Sequence, residues 1–103
     1  MSKDMLKKEK LEEQLANELV EQRAKEYGDP IPFFQSYEIM CEALDGYQKT
    51  SEMKIPGCKI TLHLIALKML RLAYNPTHED SLDDLEGYTL IFKRFVNNAK
   101  KTK

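Results

Sequence analysis

The residues whose types and spacing invite chemistry lie between Lys59 and Tyr88. Lys68 and Arg71 are three apart, so they share a helix face, and Asn75 continues that line one turn later. Just beyond come five carboxylates, Glu79, Asp80, Asp83, Asp84 and Glu86. Turned toward each other across the intervening Asn-Pro, these groups form an ion-pair network, because a guanidinium fork matches a carboxylate bidentately. Such a network fixes the angle between two helices. The same residues offer a second chemistry. Lys68, Arg71 and His78, flanked by Asp80 and Asp84, can line a pocket for a phosphate or nucleotide, with Tyr74 or Tyr88 stacking on a base. Both readings require the two cations to turn inward.

A metal is the alternative use of the acids. Glu38 and Glu42 lie one turn apart, and Asp80 pairs with Asp83 or Asp84 on another helix. The set Glu38, Glu42, Asp80 and Asp83 suits Mg²⁺, which takes oxygen ligands and keeps water and substrate phosphates in its shell. This layout resembles that of the MazG-like all-α NTP pyrophosphatases, where ExxE and ExxD pairs hold the metal, although the spacings here are ExxxE and DxxD. The resemblance implies a Mg²⁺-dependent nucleoside triphosphate pyrophosphohydrolase as the enzymatic alternative. Acids at a helix start are also favoured by the macrodipole alone, and the primary expectation is a protein without a cofactor. A zinc site from Cys41, Cys58, His63 and His78 is poorly served by spacing, since Cys58 and His63 are five apart. His63 reads better as a core or boundary histidine. There is no Gly-rich phosphate loop and no nucleophile motif, so the chain does not read as an enzyme.

The elements that must position these groups are all helical. Residues 4–27 form a long first helix on Leu11, Leu15 and Leu19, with residues 1–10 polar enough to fray. Gly28 and Pro30 end it. Residues 33–44 form a second helix with Phe33, Phe34, Tyr37, Met40, Cys41 and Leu44 inward, closed by the turn signal Asp45-Gly46. A loop to Pro56-Gly57 leads to helix three, residues 58–74, which is apolar around most of its circumference and therefore reads as buried on several sides. A partner chain and the other three helices are about equally able to supply that cover. Asn75 as cap and Pro76 as first residue open helix four, with Thr77–Asp80 and Ser81–Asp84 as further capping registers. Its inward stripe reads Leu82, Leu85, Thr89, Phe92 and Phe95, and Gly87 implies close approach of another backbone. The fold class is all-α, a four-helix bundle in one domain over residues 1–103, with a basic tail at 99–103.

Composition bounds the partners. Of 103 residues, 42% are hydrophobic and 32% charged, a soluble balance, and the net charge of −1 gives no bulk attraction to nucleic acid or membrane. The basic stretch 93–103 suits a helix C-terminus. Two cysteines without framework spacing point to a reducing compartment and buried thiols. No apolar run approaches the ~18 residues of a membrane span, and the charged N-terminus does not suit a secretory signal. The cytoplasm is the expected location.

The combination RAKEYGDP, then Phe33-Phe34, then LKMLRLAYNPTHEDSLDDLEGY resembles a small uncharacterised domain of phages and prophages. The matching positions are Tyr27, Gly28, Pro30, Lys68, Arg71, His78, Asp80, Ser81, Asp84, Gly87 and Tyr88. The resemblance covers most of residues 23–90 and departs at the loop tip SEMKIPG; the helix before residue 20 lies outside it. It implies a viral origin and a role in the host cytoplasm, without an activity. The expected function is a small homo-oligomeric binding protein that takes an anionic, nucleotide-like ligand or a host protein and so modulates host metabolism or defence. A module acting purely through helix one is the remaining alternative.

Overall fold

The computed structural model describes residues 3–101. Among them are four α-helices and no strand: α1 (Lys3–Tyr27), α2 (Pro30–Gln48), α3 (Cys58–Tyr74) and α4 (Glu79–Lys101). The all-α class read from periodicity is therefore observed. The chain divides into two compact units, Met1–Pro30 and Ile31–Lys103.

The first unit is α1. Its Lys, Glu, Gln, Leu and Ala content favours helix throughout, and residues 3–10 belong to it; residues 1–2 of the stretch expected to fray lie outside the described residues. None of its residues is buried. Gly28 terminates it in the left-handed region, φ 89°, and donates its N–H to the Ala24 carbonyl at 2.8 Å. Only glycine enters that region without a Cβ penalty.

The second unit holds α2, α3 and α4, with α3 and α4 making the most extensive packing. α2 is longer at both ends than its sequence pattern suggested. Pro30 and Pro32 sit in its first turn, where a missing N–H leaves no intrahelical bond unmade. The helix then runs through Asp45 and Gly46 instead of turning there. Its half-buried positions Phe33, Tyr37, Met40, Cys41, Leu44, Asp45 and Gln48 keep a helical period, whereas Phe34 points outward. The turn after it closes with Thr50 N–H and hydroxyl both donating to the Tyr47 carbonyl.

Gly57 sets the start of α3. Its φ is 91°, and its carbonyl accepts from the Thr61 N–H at 3.1 Å and the Thr61 hydroxyl at 2.7 Å. A Cβ there would stand 2.5 Å from the Phe95 ring of α4. This glycine serves both the backbone angle and the contact that seats the C-terminal half of α4 on the start of α3.

Helix α3 is not covered on all sides. Thr61, Ala66 and Lys68 are buried, but Ile60 and Met69 are exposed and most of the remaining apolar positions are only half-buried. Ala66, 2% exposed, is the one buried hydrophobic residue among those described. Helix α4 turns Ser81, Leu85, Tyr88, Phe92, Phe95 and Ala99 inward, spaced alternately by four and three. Leu82 and Thr89, expected inside, face out. The expected close approach at Gly87 is absent as well: nothing lies within 4 Å of a Cβ placed there.

Candidate functional site

The corner between α3 and α4 brings part of the predicted constellation together. Lys68 turns inward from α3, and its ammonium lies 2.8 Å from Asp84 Oδ2 on α4, with side-chain exposures of 10% and 50%. A nearly buried cation is thus held by a carboxylate that remains half in water. That geometry spares the pair much of the desolvation that makes fully buried ion pairs costly. Arg71, one turn on, places its guanidinium carbon 6.0 Å from the centroid of the Phe33 ring of α2, at the outer reach of a cation–π contact. The two cations therefore divide: Lys68 ties α3 to α4, and Arg71 leans toward α2.

The helix start differs from every register the sequence offered. Asn75 caps the end of α3, its N–H donating to the Arg71 carbonyl at 2.9 Å. Its side-chain oxygen accepts from the Thr77 N–H and hydroxyl at 3.3 and 3.1 Å, an Asx turn that spends Asn75 and Thr77 on the corner. His78 takes the capping role. Its Nδ1 accepts from the Ser81 N–H at 3.2 Å and lies 2.8 Å from the Ser81 hydroxyl. Accepting from that N–H uses the lone pair of Nδ1. Ser81 is wholly buried beneath this cap. His78 is thereby a structural residue of the corner, and the acids Glu79 and Asp80 that follow it occupy the first turn, where the macrodipole favours them.

The other predicted ligand residues are dispersed. Tyr74 and Asp80 are exposed, and Tyr88 is half-buried on the inward stripe of α4. A recess of about 580 Å³ is lined instead by Met53, Ile55, Leu62, Phe92, Val96 and neighbours from the 48–59 segment. A second, of about 300 Å³, lies between α2 and α3 against Met40, Leu44, Ile65 and Met69. Neither includes Lys68, Arg71, Tyr74, His78, Asp80, Asp84 or Tyr88. Both are lined mainly by apolar side chains.

Among the described residues, no group of three or more His, Cys, Asp or Glu side chains is placed to hold a metal ion. Glu38 and Glu42 are thus not gathered with Asp80 and Asp83, nor Cys41 and Cys58 with His63 and His78. Both cysteines are free and half-buried. Burial pushes the Cys58 thiol up, which disfavours the thiolate a nucleophile or metal ligand needs. Tyr37 is raised too, by burial first and then by its neighbour Cys41.

One cluster escaped the sequence reading. Asp45 Oδ1 lies 2.7 Å from His63 Nε2, and Asp45 Oδ2 is 3.8 Å from the Lys59 ammonium. It pins α2 to α3. Taking Asp45 as a turn residue hid it; extending the inward period of α2 by one turn past Cys41 would have placed Asp45 on the packed face.

Among the described residues no helix is long and apolar enough to cross a membrane. A family model described as a domain of unknown function, DUF6378, matches residues 11–96. The match begins inside α1, so the family pattern takes in the leucine stripe that the quoted motifs left out. No curated protein and no solved structure matches the chain.

Proposed function

We propose, from the premise that the chain belongs to the DUF6378 family of domains of unknown function, that it is a small non-enzymatic binding protein that works as a homo-oligomer and docks a partner protein on its three-helix unit. The observation that carries this reading is the thin apolar interior. Ala66 is the buried hydrophobic residue among those described, while Ile60, Met69, Leu90 and Ile91 stay exposed on helices of otherwise ordinary apolar content. Scattered exposed apolar residues are normal, but an apolar recess on the same unit suits a partner side chain. The resemblance to phage and prophage domains supports a host protein as that partner, with host metabolism or defence as the process modulated in the cytoplasm.

The test is capture of a partner from host lysate by the tagged full chain and by a Val96→Glu variant, which charges the recess. Capture by the first and loss by an equally folded second supports the reading. Equal capture by both, or capture by neither, refutes it.

A second reading keeps an anionic, nucleotide-like ligand at the α3–α4 corner. It is favoured by the near-buried Lys68 ammonium, which spends one of its three donors on Asp84. A ligand that binds the folded chain must raise its melting temperature by mass action. Thermal shifts with nucleoside mono-, di- and triphosphates decide it, and no shift with any of them removes it.

A further inference from the structure

The larger recess, at the start of α3, sits in the basic part of the three-helix unit. Met53, Ile55, Phe92 and Val96 give it apolar walls, and its lining includes Lys54 and Lys59 but no Asp or Glu among the described residues. Residues 48–59 and 92–96 supply that lining apart from Leu62. Residues 48–59 and 92–101 together carry seven lysines and arginines against Glu52 alone. The remainder of residues 31–101 reverses the balance, with Lys68 and Arg71 against eight acids. Within this unit, positive charge is thus gathered around an apolar hollow. Helix dipoles account for part of it: Lys100 and Lys101 lie in the last turn of α4, where cations are favoured. Lys59 has no such reason. It stands in the first turn of α3, which holds no acid and has no side-chain cap, and a cation there is disfavoured. Its ion pair with Asp45 is loose, at 3.8 Å, and its side chain stays 56% exposed; the other Asp45 oxygen is held by His63 at 2.7 Å. Lys54 is exposed in the connecting segment, and Lys93, also exposed, stands three residues before Val96 on a neighbouring position of the helix surface.

We infer that this recess takes an apolar side chain from an acidic segment of a partner protein, with aspartates or glutamates on either side of that anchor. The inference rests on the docking of a partner protein proposed above and adds that partner's chemistry. The apolar walls take the anchor out of water, and the lysines meet the flanking carboxylates while staying in solvent. Exposed charges of that kind set register and association rate more than affinity. A nucleic acid would gain from the cations but not from aliphatic walls. Single strands bind on aromatic platforms, and the lining holds one aromatic ring, Phe92, which is half-buried.

Panning a random peptide library on the immobilised full chain tests it. Selected peptides should carry acids flanking a Leu, Ile, Met or Phe. Labelled copies should bind about tenfold more weakly to the pair Lys54→Glu, Lys59→Gln, which reverses one charge and neutralises the one facing Asp45, and rising salt should weaken them too. They should bind about fivefold more weakly to Met53→Gln, which removes an apolar wall without adding charge. Met53 is 72% exposed, so this variant should melt with the parent chain. Binders without an acid excess that Met53→Gln and Val96→Glu reject overturn the acidic partner and leave docking in the recess standing. Binders indifferent to both changes, or no binders, remove both. Displacement of the selected peptides by a synthetic peptide of residues 79–90, the chain's own acidic stretch, makes a second copy the occupant and overturns the inference. Displacement by oligothymidylate or by phosphatidylglycerol vesicles, lost with the two lysines, overturns it in favour of that surface.

Discussion

Gly57 gives the sharpest test of the packing. Replacing it by alanine has two separable effects. The first is backbone strain: at φ 91° a Cβ residue costs about 1–2 kcal/mol. The second is overlap. The new Cβ would stand 2.5 Å from Phe95 Cε1 and Cζ and 2.8 Å from Cε2, and forcing a packed ring aside costs typically about 1–3 kcal/mol. Together Gly57→Ala should destabilise by about 3 kcal/mol, a large part of the about 5–15 kcal/mol available to a domain. In urea, with a slope of about 1–3 kcal/mol/M, the midpoint should fall by about 1.5 M at unchanged slope. The double variant Gly57→Ala, Phe95→Leu removes most of the overlap and keeps the strain. Its coupling term should therefore recover about 1 kcal/mol or more relative to the sum of the single changes. A loss of only about 1–2 kcal/mol for Gly57→Ala, with no coupling to Phe95→Leu, is strain alone and would refute the seating of Phe95 on the start of α3.

Gly87→Ala should act in the opposite sense, since nothing within 4 Å resists the new methyl; a gain of about 0.5–1 kcal/mol in the same urea assay is expected from helix propensity. At the α3–α4 corner, Lys68→Met should change stability by about 1 kcal/mol or less, whereas Asp84→Asn, which leaves a near-buried cation without its counter-charge, should cost about 1–2 kcal/mol; chemical melts of the two variants should rank in that order. His78→Ala removes the cap on Ser81 and should cost about 1 kcal/mol, while His78→Asp, a better cap with favourable charge, should restore it, as read by thermal unfolding. Burial raises the Cys58 thiol, so the native state holds that proton more tightly than the unfolded chain does. Its contribution is complete below the ordinary thiol range and is lost as pH climbs from there through the raised native value. In a Cys41→Ser background, Ellman's reagent at pH 8 should therefore label the native thiol more slowly than the urea-unfolded one.

The helices were legible because their apolar period is strong. α3 was read with its observed bounds, and α1 within a residue of its start. What failed were the local punctuation signals. Pro30, Pro32 and Gly46 look like breakers, yet proline costs a first turn little, and one interior glycine costs only about 1 kcal/mol, which packing of the Tyr37–Leu44 face overrides. The start of α4 failed for a related reason. Asn75 and Thr77 are good caps by type, but the Asx turn claims both, and the cap falls to a histidine that propensity ranks poorly. Three positions of the α4 stripe, Leu85, Phe92 and Phe95, are inward as read, and two are off by one residue: Ser81 and Tyr88 point in where Leu82 and Thr89 were expected. At the candidate site, the inward turn of Lys68 toward Asp84 followed from spacing. The Asp45–His63 contact was hidden by the turn-like Asp45-Gly46 pair, and the Phe95–Gly57 contact joins residues far apart in the chain through a side-chain direction that no local pattern encodes.

A homo-oligomer is the state proposed for this chain. Light scattering on the full chain, over a range of concentrations at moderate salt, measures that directly. A molar mass at least twice the 12.0 kDa of one chain is the predicted result. A mass that stays at 12.0 kDa up to the highest soluble concentration would contradict it.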